Sequence, residues 1–197
     1  MRILVVGASG TIGRAVVSAL AGNEIIAASR NNAAVAVDMA NPASIQAMYR
    51  HVGRIDAVIS AAGQAKFAPL VQLSDADFRF CLDNKLMGQV NLVRFGFEHL
   101  SDGGSFTLTS GVLAGSPMRG SGAISLVNAG IEGFARAAAM EAPRGIRVNV
   151  VSPPWVRETL VALKMDPSNG LPAEAVARSY VRSVTGAETG QTFEPSA

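Results

Sequence analysis

The fold class predicted by this sequence is α/β, one domain over residues 1–197 built on a parallel sheet with helices on both faces. Three observations predict it. Strand-like apolar segments alternate with helix-like ones along the chain, the pattern that gives parallel strands joined by crossover helices. An apolar run, Ile3 to Val6, stops at a glycine-rich turn and is followed at once by a helical pattern, Arg14 to Leu20. With 197 residues, 49% of them hydrophobic and 16% charged, the chain can bury a full core and is not of disordered composition.

The elements follow in order. After the first helix, Gly22 marks a turn and Glu24–Ala28 reads as a second strand, closed by the polar turn Ser29-Arg30-Asn31-Asn32. A short third strand, Ala34–Val37, ends at Asp38. Asn41-Pro42 offers a cap and a first-turn proline for a helix to about His51. Asp56–Ser60 is the fourth strand and runs into Ala61-Ala62-Gly63. Ser74, with Asp75 and Asp77 in the first turn, opens one long helix to about Leu100, stopped by Asp102-Gly103-Gly104. Ser105–Thr109 is the fifth strand. A second long helix covers about Ser121 to Met140, stopped near Pro143, with Ser121 as its cap and Ser125 packed within it. Ile146–Val151 is the sixth strand, ended by Pro153-Pro154; a helical lobe near Pro172–Val184 and a last strand near Gly190–Phe193 complete the chain.

Gly7-Ala-Ser-Gly-Thr-Ile-Gly13 has the context that gives a dinucleotide fingerprint its meaning: strand, tight turn, helix. Gly7 suits the turn, while Gly10 and Gly13 remove side chains that would obstruct a pyrophosphate or the helix–strand contact. Free amides at the helix start then face the phosphates. The cofactor type is read at the end of the second strand. NAD sites place an acid there and NADP sites an arginine; here stand Ser29 and Arg30, whose hydroxyl and planar fork suit a 2′-phosphate, with Arg14 as a further candidate. The expected cofactor is NADP(H).

Other classes are excluded by composition. A net charge of +2 without a Lys/Arg block argues against nucleic acid. No apolar run reaches spanning length, a strand at the start leaves no room for a cleavable leader, and the single Cys81 suits a reducing compartment, so a cytoplasmic protein without a membrane partner is expected. No His/Cys/carboxylate group has metal spacing, so no metal is expected. His51 and His99 read as helix-end residues.

Several separate stretches resemble the short-chain dehydrogenase/reductase family over nearly the whole chain. They are Gly7 to Gly13; Ser60-Ala61-Ala62-Gly63, similar to the family's Asn-Asn-Ala-Gly; Ser110 after Phe106–Thr109; Glu132-Gly-Phe-Ala-Arg136; Arg147 to Pro153; and Thr189-Gly-Gln191. The resemblance implies a Rossmann-type doubly wound sheet of strand order 3-2-1-4-5-6-7. It implies cofactor contacts from Gly7, Ser9, Gly10, Thr11, Ile12 and Gly13, from Ser29 and Arg30, from Asp38 and Met39 beside the adenine, and from Ala61, Ala62 and Gly63. Asn128 and the stretch Pro153, Trp155 and Val156 would border the nicotinamide side. The two long helices resemble the family's subunit interfaces, and Ala129-Gly130 through Ala139 permits close approach, which implies a homodimer or homotetramer.

The departures bear on chemistry. The family's Tyr-x-x-x-Lys spacing falls on Ile124 and Asn128, or with a shift of one on Ala123 and Val127, and neither register holds tyrosine or lysine. The frame of the family's asparagine is filled by Lys85-Leu-Met-Gly88, as though lysine and asparagine had changed places, and Thr11 stands where most members have glycine. Reducing a carbonyl leaves an alkoxide that needs a proton or a positive charge. Ser110 as hydrogen-bond donor and Lys85 as cation are the candidate catalytic residues; Lys66 is a second candidate cation. The expectation is an NADP-dependent oxidoreductase acting on a small carbonyl or alcohol, against the alternative of a catalytically silent NADP(H)-binding sensor or interaction protein.

Overall fold

The first strand, β1 (Arg2–Val6), explains the alternation. Successive side chains of a strand point to opposite faces, and here Ile3 and Val5 join one buried cluster while Leu4 and Val6 join another. A strand apolar on both faces requires helices above and below. The computed structural model, which describes residues 1–196, places β1 inside a seven-stranded sheet. The others are β2 (Glu24–Ser29), β3 (Val35–Ala36), β4 (Ile55–Ser60), β5 (Leu100–Thr109), β6 (Arg147–Val151) and β7 (Thr192–Phe193). All pair in parallel in the order 3-2-1-4-5-6-7. Winding reverses between β1 and β4, so a crevice opens beyond their carboxyl ends, at Val6 and Ser60.

The helices are α1 (Thr11–Ala19), α2 (Pro42–Val52), α3 (Asp75–Cys81), α4 (Gly88–Gly96), α5 (Gly122–Glu141), α6 (Arg157–Ala162) and α7 (Ala173–Thr185). α1 and α7 cover the Ile3 face, with Val16, Val176 and Tyr180 in that core. α2, α4 and α5 cover the Leu4 face through Ile45, Tyr49, Leu92 and Ile131. Two of the three expected caps match their sequence signals. Asn41 Oδ1 accepts from the amides of Ala43 and Ser44, with Pro42 at the first position. Ser74 and Asp77 form a reciprocal capping box. Ser121 precedes α5 but caps nothing, because its hydroxyl is engaged by Met118 and Ser125.

Two segments differ from expectation. The long helix from Ser74 is α3 and α4 joined by a π-helical turn, Leu82–Met87, and it ends in a 3₁₀ turn at Phe97–His99. β5 then starts at Leu100, five residues before the expected Ser105, because buried Leu100 pairs with Ile55 and enters the sheet directly. Asp102-Gly103-Gly104 therefore lies inside the strand. There the β4–β5 register slips, and Gly103 at φ 72° absorbs the irregularity. α6 was not expected: it is six residues long and begins where Val156 bridges Leu171.

Candidate functional site

The crevice holds two adjoining hollows. The first, about 490 Å³, is built on the turn between β1 and α1. Gly7 donates its amide to Ala28 O at 2.7 Å, and Ala61 donates to Val6 O at 2.8 Å, which draws the three strand ends together. A Cβ on Gly7 would lie 2.8 Å from the Ala61 backbone, and one on Gly13 would run into the Gly7 carbonyl. α1 starts from Gly10 without a side-chain cap, so its first amides are left for a ligand. Ser9 and Gly10 line this hollow with Met39, Ala61, Ala62 and Gly63. A turn cleared of Cβ atoms, facing an uncapped helix start, fits a pyrophosphate.

At the far side, Ser29 and Arg30 close β2 and also line the first hollow. The Ser29 hydroxyl donates to Asn31 O. Arg30 Nη2 donates to Asp38 Oδ1 at 3.1 Å and to Asn84 Oδ1 at 3.2 Å. Asp38 is thus turned to Arg30 and to the Ala40 amide rather than lining the hollow. Thr11 and Gly13 line neither hollow, while Ile12 lines the second.

The second hollow, about 320 Å³, lies between the π-helical turn, the end of β5, the start of α5 and the segment after β6. Lys85 Nζ donates to Ser110 O at 3.1 Å. Burial pushes the amine down to about 8, an effect slightly opposed by Cys81 one turn earlier. Gly63, at φ 138°, makes room for it: a Cβ there would meet Lys85 Cγ at 2.8 Å. One residue further along the strand end, Asn128 Nδ2 donates to Gly111 O at 3.3 Å. Gly111 has φ 154°, and a Cβ on it would press on Asn128 Nδ2 at 3.1 Å. Lys85 and Asn128 therefore grip consecutive carbonyls from two different helical segments. Asn128 Oδ1 is buried and accepts no hydrogen bond among the described residues, an uncompensated acceptor that a ligand O–H or N–H would satisfy.

Ser110 is almost fully buried, and its Oγ donates to Glu132 Oε1 at 2.7 Å. Below it, Gln89 docks on the strand as a further strand would: the Thr109 amide donates to Gln89 Oε1 at 2.7 Å, and Gln89 Nε2 donates to Thr109 O at 2.8 Å. The walls are mainly apolar. Ile124, Pro153, Trp155 and Val156 line them. Lys85 is the only charged side chain lining this hollow among the described residues.

Both tyrosines are elsewhere. Tyr180 OH sits 2.6 Å from Thr109 Oγ1 under the sheet, and Tyr49 OH donates to Leu92 O on the opposite face. Lys66 is outside as well, 4.0 Å from Asp77 and over the Phe80 ring. Arg14 bonds to Ser9 O, and His99 stacks on Tyr49. Neither Glu132 nor Asn84 stands out in the sequence as a site residue. Glu132 follows Asn128 by four residues, which puts both on one helix face; a polar pair on a helix rich in alanine and glycine was the available signal. Among the described residues no three His, Cys, Asp or Glu side chains gather as metal ligands, and no helix is long and apolar enough to cross a membrane.

The profile of the enoyl-(acyl carrier protein) reductase family matches residues 11–193. The chain is 33% identical to hydroxynaphthalene reductase arp2 of Aspergillus fumigatus over 117 residues, 59% of this chain and 43% of that protein. It is 32% identical to cis-4-hydroxycyclohexanecarboxylate dehydrogenase of Sinomonas cyclohexanicum over 138 residues, 68% of this chain and 53% of that one. The matched stretch thus spans about half the length of these relatives. The crystal structure of protein lin1944 from Listeria innocua superposes with a TM-score of 0.95 at 42% identity, covering 98% of each chain. A small-chain dehydrogenase in complex with NADPH has the same fold, with a TM-score of 0.86 at 24% identity over 98% of this chain and 95% of the other.

Proposed function

This chain belongs to the short-chain dehydrogenase/reductase family, and from that premise we propose that it is an NADP(H)-dependent oxidoreductase reducing a small carbonyl compound, or oxidising the matching alcohol, through a site rebuilt around Lys85. The observation that carries the proposal is the Lys85 amine at the base of an apolar hollow, bonded to Ser110 O and facing no carboxylate there. When bound, the nicotinamide supplies or takes a hydride at its C4. Glycine-turn backbone, α1 amides and Arg30 hold the phosphates. Lys85 Nζ, where the family has asparagine, holds positive charge against the oxygen of the substrate and delivers the proton as the alcohol forms. Asn128, where the family has lysine, accepts a hydroxyl hydrogen from the ligand at its unpartnered Oδ1. Because its own hydrogen is given to Glu132, Ser110 fixes the strand end that Lys85 grips.

A second reading has its own support: no tyrosine hydroxyl lines the hollow and the Ser110 proton is engaged, which suits a protein that binds NADP(H) without turnover. NADPH oxidation followed against ketones, aldehydes and quinones, beside fluorescence titration of the cofactor, separates the two. Turnover of any carbonyl supports the enzyme; tight NADPH binding with no turnover across the panel supports the silent protein. Self-association belongs to the same proposal, since Leu126 and Met140 of α5 stand exposed, and light scattering that finds only a 20.4 kDa species removes it. A cytosolic location accords with the free thiol of Cys81.

A further inference from the structure

Lys85 has a property that proton donation does not use up. A nucleophilic amine must be neutral, reachable, and free of a carboxylate that would hold it as ammonium. Lys85 meets the last two conditions by its placement, and burial enlarges its neutral fraction. Its stem passes Gly63, its Nζ has Ser110 O as its one hydrogen-bond partner among the described residues, and the walls near it include Ile124, Leu113 and Trp155. No acidic side chain lines the hollow. We propose that Lys85 is a covalent capture site for small, neutral, apolar aldehydes and ketones, which it binds reversibly as an imine.

The step balances without an oxidant or reductant. The neutral amine nitrogen adds to the carbonyl carbon, forming an N–C bond, and the carbonyl oxygen becomes the hydroxyl of a carbinolamine. Protonated from solvent at the mouth of the hollow, that oxygen leaves as water while the nitrogen lone pair closes the C=N bond. The protonated imine keeps one N–H, and Ser110 O is already placed to accept it. Burial favours the reactive form: with the amine at about 8 rather than 10.5, it is neutral about three-hundredfold more often near neutral pH than an ordinary lysine. The mainly apolar walls favour small, uncharged carbonyl compounds, since an anionic group placed away from Lys85 would lie against apolar side chains. The inference uses the same pocket as the proposed oxidoreductase but needs neither cofactor nor hydride transfer, so the two can fail separately.

The chain has three lysines, Lys66, Lys85 and Lys164, which makes the test direct. The protein without cofactor is treated with cyclohexanone or benzaldehyde and cyanoborohydride, and its peptides are weighed. The adduct is expected on Lys85 at least about ten times faster than on Lys66 or Lys164. As a second measurement, 2,4-pentanedione should give the near-ultraviolet band of an enaminone, saturating at one per chain. The band should vanish in Lys85→Arg, which keeps the charge for folding, and persist in Lys66→Arg. Equal labelling of the three lysines, or a band unchanged in Lys85→Arg, overturns the proposal whether or not the protein reduces any carbonyl.

Discussion

The two hollows of the crevice are made in different ways. At the glycine turn the contacts come from main-chain atoms: Gly7 and Gly13 matter for the side chains they lack, and α1 offers amides. At the Lys85 end the contacts come from side chains on three elements, the π-helical turn, β5 and α5. A backbone cradle is set by local sequence and tolerates change around it. A side-chain constellation is set by the packing of segments distant in the chain, as where Lys85 and Asn128 grip the adjacent carbonyls of Ser110 and Gly111. Substitutions at the first end should therefore alter binding, and those at the second should alter chemistry.

The largest effect expected is on chemistry. Lys85→Met should lower kcat/KM for carbonyl reduction by roughly a hundred- to a thousandfold, the usual result of removing one electrostatic contact worth about 2.7–4 kcal/mol in the transition state. NADPH affinity should stay within about threefold, because a contact made only with the reacting oxygen contributes nothing to cofactor binding. Steady-state rates beside fluorescence titration measure both, and a loss confined to affinity would erase the distinction between the two ends. The pH profile adds a check. If the amine at about 8 donates the proton, carbonyl reduction should fall as pH rises through that value and stay level below it.

At the other end, Arg30→Ala should reduce the preference for NADPH over NADH by about ten- to a hundredfold, the worth of a charge-assisted contact of about 1.5–3 kcal/mol. Turnover with saturating NADPH should hardly change. The contacts of Arg30 with Asp38 and Asn84 complicate the expectation usefully. Asn84 adjoins Lys85 in the π-helical turn, so a fall in turnover as well would mean that the two hollows are coupled through that turn. Gly13→Ala should weaken both cofactors alike, by about five- to a hundredfold, since a Cβ driven into the Gly7 carbonyl costs about 1–3 kcal/mol of overpacking. A selective loss of NADPH alone would contradict a purely steric cradle.

What was legible in the sequence follows the same division. The glycine turn and the caps at Asn41 and Ser74 depend on residues close together in the chain, and they stand where local chemistry puts them; the strand order, a long-range property, came through the family resemblance. Lys85 and Asn128 were found only through frames around them, Lys85-Leu-Met-Gly88 and the approach to Glu132-Gly-Phe134. Their partners were not readable. The bond of Ser110 to Glu132 spans 22 residues and that of Arg30 to Asn84 spans 54, and which rotamer meets which is decided by how α5 and the π-helical turn pack. Asp102-Gly103-Gly104 misled because glycines that end a helix and glycines that absorb a register slip look alike. α6 was missed because six residues are too few for a periodic signal, and its first turn depends on contacts such as Glu158 accepting from the Ala173 amide.

The smallest expected effect is on stability, and it tests whether the Lys85 end is as dry as its apolar walls imply. The folded amine, at about 8, lies below the ordinary value of 10.5. Below pH 8 both folded and unfolded chains hold the proton, and the folded one carries a partly desolvated cation. Between pH 8 and 10.5 the unfolded chain binds more protons than the folded one, so stability gains from rising pH there. Above 10.5 neither state is charged and the contribution is gone. Lys85→Met removes this cost while giving up one hydrogen bond to Ser110 O, worth about 0.5–1.5 kcal/mol. The variant should therefore be the more stable protein at pH 7, by on the order of 1 kcal/mol, each tenfold change in proton affinity corresponding to about 1.4 kcal/mol before discounting for solvent screening. Its advantage should shrink from pH 8 upward and reverse slightly near pH 10.5, where only the lost hydrogen bond remains. Urea unfolding of both proteins at pH 7 and 10 measures this, with all other titrating groups common to the pair. A difference that ignores pH would mean that the amine is solvated. The walls around Lys85 would then give it neither a shifted proton nor a special reactivity.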